Sequence, residues 1–263
     1  MPNLPKIISA SRRQDMVAFF PEKMIDVLNR RCPPEKVHSL VLWTKDPRHC
    51  WSHHQLQQCL NAYDQLFVHF TITGMGGTTL EPGIPDWKTS VQTLPRVLEL
   101  VGSSRLLRVR FDPIVNVTTP EGKPYSNLAC FESIADACRK YGLTDVTISW
   151  MQVYDKVRRN LLAHGFSPIA LSAQEKENQL AEIQGMASAR GITLHGCCDD
   201  RLPVSSCIDG NLLNETHRKR LLATTEKASG QRQRCCCTKS WDIGWYEPCP
   251  GGCLYCYARP KGV

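Results

Sequence analysis

The chain has 263 residues, of which 42% are hydrophobic and 22% charged, and its formal net charge is +7. This is ordinary globular composition, sufficient for one sizeable core, and it excludes a wholly disordered chain. The opening residues, MPNLPKIISASRRQD, lack the apolar run of a signal peptide, and no stretch approaches the ~18 consecutive apolar residues of a membrane span, so a cytoplasmic protein without a membrane partner is expected. The positive balance suits an anionic partner such as a nucleic acid or a phosphorylated metabolite, and equally a solvated basic surface.

Short β-rich runs alternate with amphipathic stretches. A strand is expected over 6–10 (KIISA), followed by a helix over 21–31 with apolar residues at 24, 25, 27 and 28. Further strands are expected over 38–43, 66–73, 106–111, 145–150 and 192–195, all rich in Val, Ile, Phe and Thr. Helices are expected between them, over 51–63, 86–101, 128–141 and 173–190, the last with Ser172 as N-cap and Gly191 just past its end. The alternation predicts an α/β fold with a mainly parallel sheet, and six repeats favour a full or partial parallel β/α barrel of the TIM type. Residues 1–198 make the body of this barrel. Beyond 199 the rhythm breaks: a helix is expected over 213–227, then a basic connector over 228–234 and a cysteine-rich, aromatic tail. The segment 199–263 cannot form a core alone, so it is expected to complete the barrel as part of one structural unit.

In such folds chemistry sits on the loops after the carboxyl ends of the strands. Ser11, Arg12, Arg13 and Asp15 follow the first strand; Thr44, Lys45 and Asp46 the second; Thr73 and Gly74 the third; Asp112 the fourth; Tyr154, Asp155 and Lys156 the fifth; and Cys197 the sixth. Each alone is an ordinary cap or turn residue. Together they would line one pocket.

The cysteines carry the sharpest signal. Of 14, Cys32, Cys50, Cys59, Cys130 and Cys138 are scattered through the first 138 residues, whereas nine fall after residue 196. In a reducing compartment such a cluster points to metal ligands or catalytic thiols rather than disulfides. CPGGCLYC at 249–256 is Cys-x3-Cys-x2-Cys. Thiolates at Cys249, Cys253 and Cys256 can wrap one face of a [4Fe-4S] cubane and leave its fourth iron open, with Gly251 and Gly252 permitting the tight loop. Zinc, which prefers four closed ligands, is the alternative. A second set, Cys197, Cys207, Cys235 and Cys237, with Cys198 and Cys236 adjacent, could close a second iron–sulfur cluster or a structural zinc site, or simply be free thiols.

The segment CPGGCLYCYARP at 249–260 resembles the cluster loop of radical S-adenosylmethionine enzymes, particularly the branch of spore photoproduct lyase, where the cysteines are followed by Tyr-Ala-Arg as Tyr257, Ala258 and Arg259 are here. In that branch the loop lies near the start of the domain. Here ISASRRQDMVAFFP (8–21), LVLWTKDP (40–47), FTITG (70–74), LEPGIP (80–85) and RVRFDPIV (108–115) match segments that follow it, so the resemblance implies a circular permutation, with the first strand and cluster loop moved to the end. The chain as a whole also resembles the prokaryotic and phage family catalogued as domain of unknown function 1848, through ISASRRQD, LWTKDP, RFDPI, SWMQVYDKVRRNL, SSCID and CCCTKSWDIGWYEPCPGGCLYCYA. In that pattern Cys197, Cys207, Cys235 and Cys237 match, Cys198 and Cys236 are extra, and Gln14 stands where Thr is expected.

The radical-enzyme resemblance implies that the open iron binds the amino and carboxylate groups of S-adenosylmethionine, that an electron from a reductant such as flavodoxin or ferredoxin breaks its carbon–sulfur bond, and that a 5′-deoxyadenosyl radical abstracts hydrogen from substrate. Under it, Asp15, Lys45, Arg110 and Asp112 are candidate catalytic residues, and Ser11, Arg12, Thr73, Asp155, Tyr255 and Tyr257 candidate cofactor-binding ones. Lys45 and Arg110 suit the cofactor carboxylate, and structural ion pairs would equally explain them. A nucleic acid, a nucleotide, a small metabolite and a modified peptide all remain open as substrate. A non-radical iron–sulfur electron-transfer or lyase protein and a zinc-stabilised nucleic-acid-binding module are the competing functions; the second predicts salt-sensitive binding.

Overall fold

The computed structural model of this chain describes residues 4–196, 199, 201–203 and 206–258. Its strands are β1 (Lys6–Ala10), β2 (Val37–Thr44), β3 (Leu66–Thr71), β4 (Leu107–Ile114), β5 (Asn116–Thr118), β6 (Pro124–Ser126), β7 (Asp145–Trp150), β8 (Ser167–Pro168), β9 (Thr193–Gly196) and β10 (Trp241–Asp242). Its α-helices are α1 (Met16–Phe19), α2 (Pro21–Arg31), α3 (His49–Ser52), α4 (His54–Asn61), α5 (Trp87–Gln92), α6 (Leu94–Val101), α7 (Phe131–Lys140), α8 (Asp155–Ala163), α9 (Ala173–Ser188) and α10 (Gly210–Thr216). None is long and apolar enough to cross a membrane.

Seven strands form one parallel sheet in the order β10-β1-β2-β3-β4-β7-β9, and β6-β5-β8 form a small antiparallel sheet. The expected parallel sheet is present. A closed barrel is not: among the described residues no ladder joins β9 to β10, so these two strands are edges. Strand order follows chain order without a reversal, except that the last strand lies beside the first. Crossovers of one hand and one direction lay α2, α4, α6, α7 and α9 against the sheet as one layer, whereas α8 packs into a separate core with Val117 and Phe166.

The register shows what that winding requires. Ile8 sits opposite Leu40, Leu40 opposite Leu66, Val68 opposite Leu107, Val109 opposite Val146, and Val146 opposite Leu194. This apolar face packs against the helices through Met24, Leu28, Leu56, Leu60, Phe131, Ile134 and Ile183, with the rings of Phe111 and Phe131 edge-to-face at 5.2 Å. Each such side chain adds about 1.5–3 kcal/mol by leaving water. The alternate positions are mixed, with apolar Ile7, Val41 and Phe67 beside the polar groups: Ser9 pairs with Asp242, Trp43 with His69, His69 with Arg108, Arg110 with Thr147, and Thr147 with His195.

Several helical expectations are refined. The stretch 51–63 is divided at His53, whose Nδ1 accepts from the Leu56 N–H to start α4. The stretch 86–101 is divided at Thr93, with Pro95 opening the second helix. Ser172 closes a capping box with Glu175 at the start of α9, and Gly191 takes φ +67° past its end. The helix expected over 213–227 is a correction: α10 ends at Thr216, because the Asn214 side chain clasps the backbone of Ala223 at 2.8 and 3.1 Å, which folds the chain back.

At the amino end of the sheet, His195 Nε2 lies 2.6 Å from Asp145 Oδ1. That bond, opposed by burial and helped by Thr144 and Arg108, holds the Asp145 carboxyl down at about 2. A depressed carboxylate stabilises the fold above its unfolded pKa and loses that contribution as pH falls through the folded value. Asp145→Asn should therefore cost about 1 kcal/mol at neutral pH, after screening at this half-exposed side chain, and flatten the stability loss between about pH 4 and 2. Urea titrations across that range check this.

Candidate active site at the carboxyl end of the parallel sheet

Three anchors seat the cysteine loop that follows β10. The Gly83 N–H donates to the Gly251 carbonyl at 3.2 Å, the Leu254 N–H donates to the Leu80 carbonyl at 3.0 Å, and Asn160 Nδ2 donates to the Leu254 carbonyl at 2.6 Å. Leu254 and Tyr255 then fill a second, smaller core with Met75, Leu80, Val115, Val117, Leu161 and Phe166. A Cβ on Gly83 would run into the Pro250 carbonyl, and one on Gly251 would press on Phe19 and Ile84 at 3.0 and 3.2 Å. The loop thus lies in close backbone contact with the turn after β3 and beside α1.

This seating gathers Cys249, Cys253 and Cys256 within electrostatic reach of one another. The Cys249 sulfur faces the backbone N–H groups of Gly251 and Asp15, which favour a thiolate; burial outweighs them and pushes its pKa up. Burial also raises the Cys253 thiol, against the opposing pull of the Lys45 cation. Three sulfurs with amide donors and a nearby cation are a donor set that suits an iron–sulfur cluster.

Lys45 links the loop to the strands. Its Nζ donates to Glu81 Oε1 at 2.5 Å and to the Tyr255 hydroxyl at 2.8 Å, and that hydroxyl also donates to Glu81. Glu81, 1% exposed, accepts from Thr73 Oγ1 at 2.8 Å. Burial depresses the lysine pKa, but Glu81, Cys253 and Asp112 more than compensate and raise it, so the ammonium is charged. Asp15 caps α1 through the Ala18 N–H and accepts from Thr44 Oγ1 at 3.0 Å and the Lys45 N–H at 2.7 Å. Burial raises its pKa to about 6 in spite of those bonds. Arg110 pairs with Asp112, which also accepts from Ser149.

The profile of the family described as Domain of unknown function (DUF1848) matches residues 26–258. The chain belongs to this family. No curated protein matches it.

In this DUF1848 chain the carboxyl rim brings together Ser11, Asp15, Lys45, Thr73, Arg110, Asp112, Tyr255 and the three loop cysteines. Ser11 donates to Asp242 at 2.9 Å and so ties β1 to β10. The Arg12 guanidinium lies over Trp43 at 5.4 Å. Tyr257 is 56% exposed, yet its hydroxyl is enclosed enough for burial, Asp112 and Cys256 to raise its pKa against Arg110 and Arg12. Gln14 is buried beside Trp245. Asp155 opens α8 with an exposed side chain, where a carboxylate complements the helix dipole. Arg259, Cys197 and Cys198 lie outside the described residues.

Of the second cysteine set, Cys207, Cys235 and Cys237 are buried together against Trp43, while Cys236 is exposed. Among the described residues, no group of three or more His, Cys, Asp or Glu side chains is placed to hold a metal ion. Glu81 and Ser149 are site residues that sequence reasoning missed. The Glu-Pro of LEPGIP was the one available signal for Glu81, and nothing in the sequence marked Ser149.

Glu81→Gln leaves Lys45 as a buried cation without its carboxylate, and should cost about 3 kcal/mol in urea unfolding. The double change Lys45→Met with Glu81→Gln should recover part of that. Gly83→Ala should leave the far-ultraviolet spectrum and the sheet intact but unseat the loop, so that iodoacetamide labels Cys249, Cys253 and Cys256 faster than in the parent chain.

Proposed function

We propose that Cys249, Cys253 and Cys256 hold a [4Fe-4S] cluster with one iron open to S-adenosylmethionine, and that the protein uses it to start radical chemistry on its substrate. The observation that carries this reading is the convergence of the three loop cysteines with Lys45, Asp15 and the Arg110–Asp112 pair at the carboxyl rim of a singly wound parallel sheet. The place of β10 beside β1 fits a partial barrel whose first strand and cluster loop have been moved to the end of the chain.

Bound together, the cluster and S-adenosylmethionine would supply reductive carbon–sulfur cleavage and a 5′-deoxyadenosyl radical. The chain's own residues do the rest. The Gly251 and Asp15 amides steady the Cys249 thiolate. Lys45 offers a charged ammonium next to Cys253, where it offsets thiolate charge, and it can meet a cofactor carboxylate only by exchanging its contact with Glu81. Asp15, poised near neutrality, holds the turn that carries Lys45. Tyr255 and the small core beneath it keep water from the inner side of the loop, and Tyr257 shields the outer side. Electrons would come from a flavodoxin- or ferredoxin-type reductant.

The test is anaerobic purification and reconstitution, with iron and sulfide counts and electron paramagnetic resonance of the reduced protein with and without S-adenosylmethionine. The expected result is a cubane signal that changes when S-adenosylmethionine is added, with reductant-dependent 5′-deoxyadenosine. Cys249→Ala, Cys253→Ala and Cys256→Ala should each abolish both. A signal indifferent to S-adenosylmethionine would support an electron-transfer or lyase protein instead, and zinc without iron would overturn the cluster altogether.

A further inference from the structure

The carboxyl rim carries a cation that the chain itself leaves uncompensated. Four other cations there are paired: Lys45 with Glu81 at 2.5 Å, Arg48 with Asp46 at 2.6 Å, Arg110 with Asp112, and Arg13 with Asp242 at 4.0 Å. Arg12, half-buried in the turn after β1, has no carboxylate partner among the described residues. Its Nε–H is buried and finds no hydrogen-bond acceptor. A buried donor without an acceptor is costly. Three carboxylates of the rim are engaged elsewhere: Asp15 accepts from Ala18, Thr44 and Lys45, Asp112 from Arg110 and Ser149, and Asp242 from Ser11 and Gly244. None can turn to Arg12 without breaking a bond it already makes.

The guanidinium is nevertheless held in place. It lies over the Trp43 indole, 5.4 Å from the ring centroid, and Arg110 lies over the same indole at 5.4 Å. Trp43 is itself fixed, stacked on His69 at 4.0 Å and donating its indole N–H to Ser9 Oγ at 3.1 Å. Cation–π attraction uses the charge of a guanidinium and leaves its N–H fork able to meet an oxyanion. The Tyr257 hydroxyl is within electrostatic reach of Arg12, as it is of Arg110, Asp112 and Cys256. Arg12 therefore faces the candidate active site, preorganised on a rigid platform.

We infer that Arg12 is an anion subsite of this rim and binds a phosphate or carboxylate group of the substrate. A charge-assisted bond from the orphaned Nε–H, with the rest of the fork beside it, suits either oxyanion. Lys45, which the proposed function offers to the cofactor carboxylate, acts on Cys253, whereas Arg12 acts on Tyr257, so the two cations can hold two anionic groups at once. That the anion belongs to the substrate rests on the proposed radical function; that Arg12 binds an oxyanion does not. The substrate class that follows is an anionic one, anchored by its charged group at Arg12 while its reacting carbon lies toward the cysteine loop.

The test follows the arginine Nε–H resonances of the nitrogen-15-labelled full chain, without cluster or cofactor, during titration with inorganic phosphate, acetate and chloride at constant ionic strength. The Arg12 resonance is the one missing from Arg12→Lys. It should move downfield and saturate with phosphate or acetate, and the tighter probe names the group. Chloride should leave it in place; this control matters because a net charge of +7 draws anions to the whole surface. The Trp43 indole N–H, assigned from Trp43→Phe, reports on the same site should Arg12→Lys not fold. No saturating shift at either resonance, or an equal shift with chloride, would overturn the subsite. In reconstituted protein, the tighter probe at saturation should leave the S-adenosylmethionine-dependent change in the electron paramagnetic resonance signal intact. Its reversal would give Arg12 to the cofactor and overturn the assignment to substrate. Because the titration needs neither cluster nor cofactor, its failure is distinct from a failure of the radical function.

Discussion

A sheet that winds in one direction sends its crossover helices to one side. That constraint governs the rest of the molecule. One set of strand positions, from Ile8 through Leu40, Val68 and Val109 to Leu194, packs into the helical layer and supplies the bulk of the hydrophobic stabilisation. The opposite set carries Trp43, His69, Arg108, Arg110 and His195, whose polar groups must find partners outside that helical layer. The segment after β9 meets that demand. It lays Cys207 against Arg110 and His69, and β10 against β1, before it turns into the cysteine loop.

The carboxyl rim solves a related problem of charge. Lys45 and Glu81 are both withdrawn from water, and neither would be tolerable alone. Their mutual contact, shared with Thr73 and Tyr255, joins β2, the turn after β3 and the cysteine loop at one point. Asp15 does the same for α1 and the end of β2. The candidate site residues are therefore also what fastens the loop, and the loop's backbone contacts with Gly83 and Leu80 leave little freedom in where its cysteines stand.

Much of this was legible in the sequence where local signals agree. The strand at Asp145–Trp150 and the helix at Pro21–Arg31 fall on their expected limits, and the Ser172–Glu175 capping box starts its helix where Ser172 was expected to cap it. Signals that depend on distant partners were not legible. Leu213, Leu221 and Leu222 mimic a helical stripe, but the Asn214–Ala223 clasp overrides it. Glu81 acquires its role from Lys45, 36 positions earlier, and Tyr255, 174 later. His69 reads as an ordinary strand residue until the Cys207 carbonyl takes its proton-bearing nitrogen. The cysteine spacing of the loop was plain from the start, whereas its seat on the turn at Leu80–Gly83 was not.

The strand that introduces the loop is paired over two residues, and its Asp242 meets Ser9 across 233 positions of sequence. An edge held so briefly opens at a much smaller free-energy cost than the interior strands, whose exchange would require the whole sheet to come apart. Amide protons of Trp241 to Gly244 should thus exchange long before those of β2 or β3. The strand that leads into the loop is thus held more loosely than the loop itself, whose seat rests on the turn at Leu80–Gly83 rather than on the sheet edge.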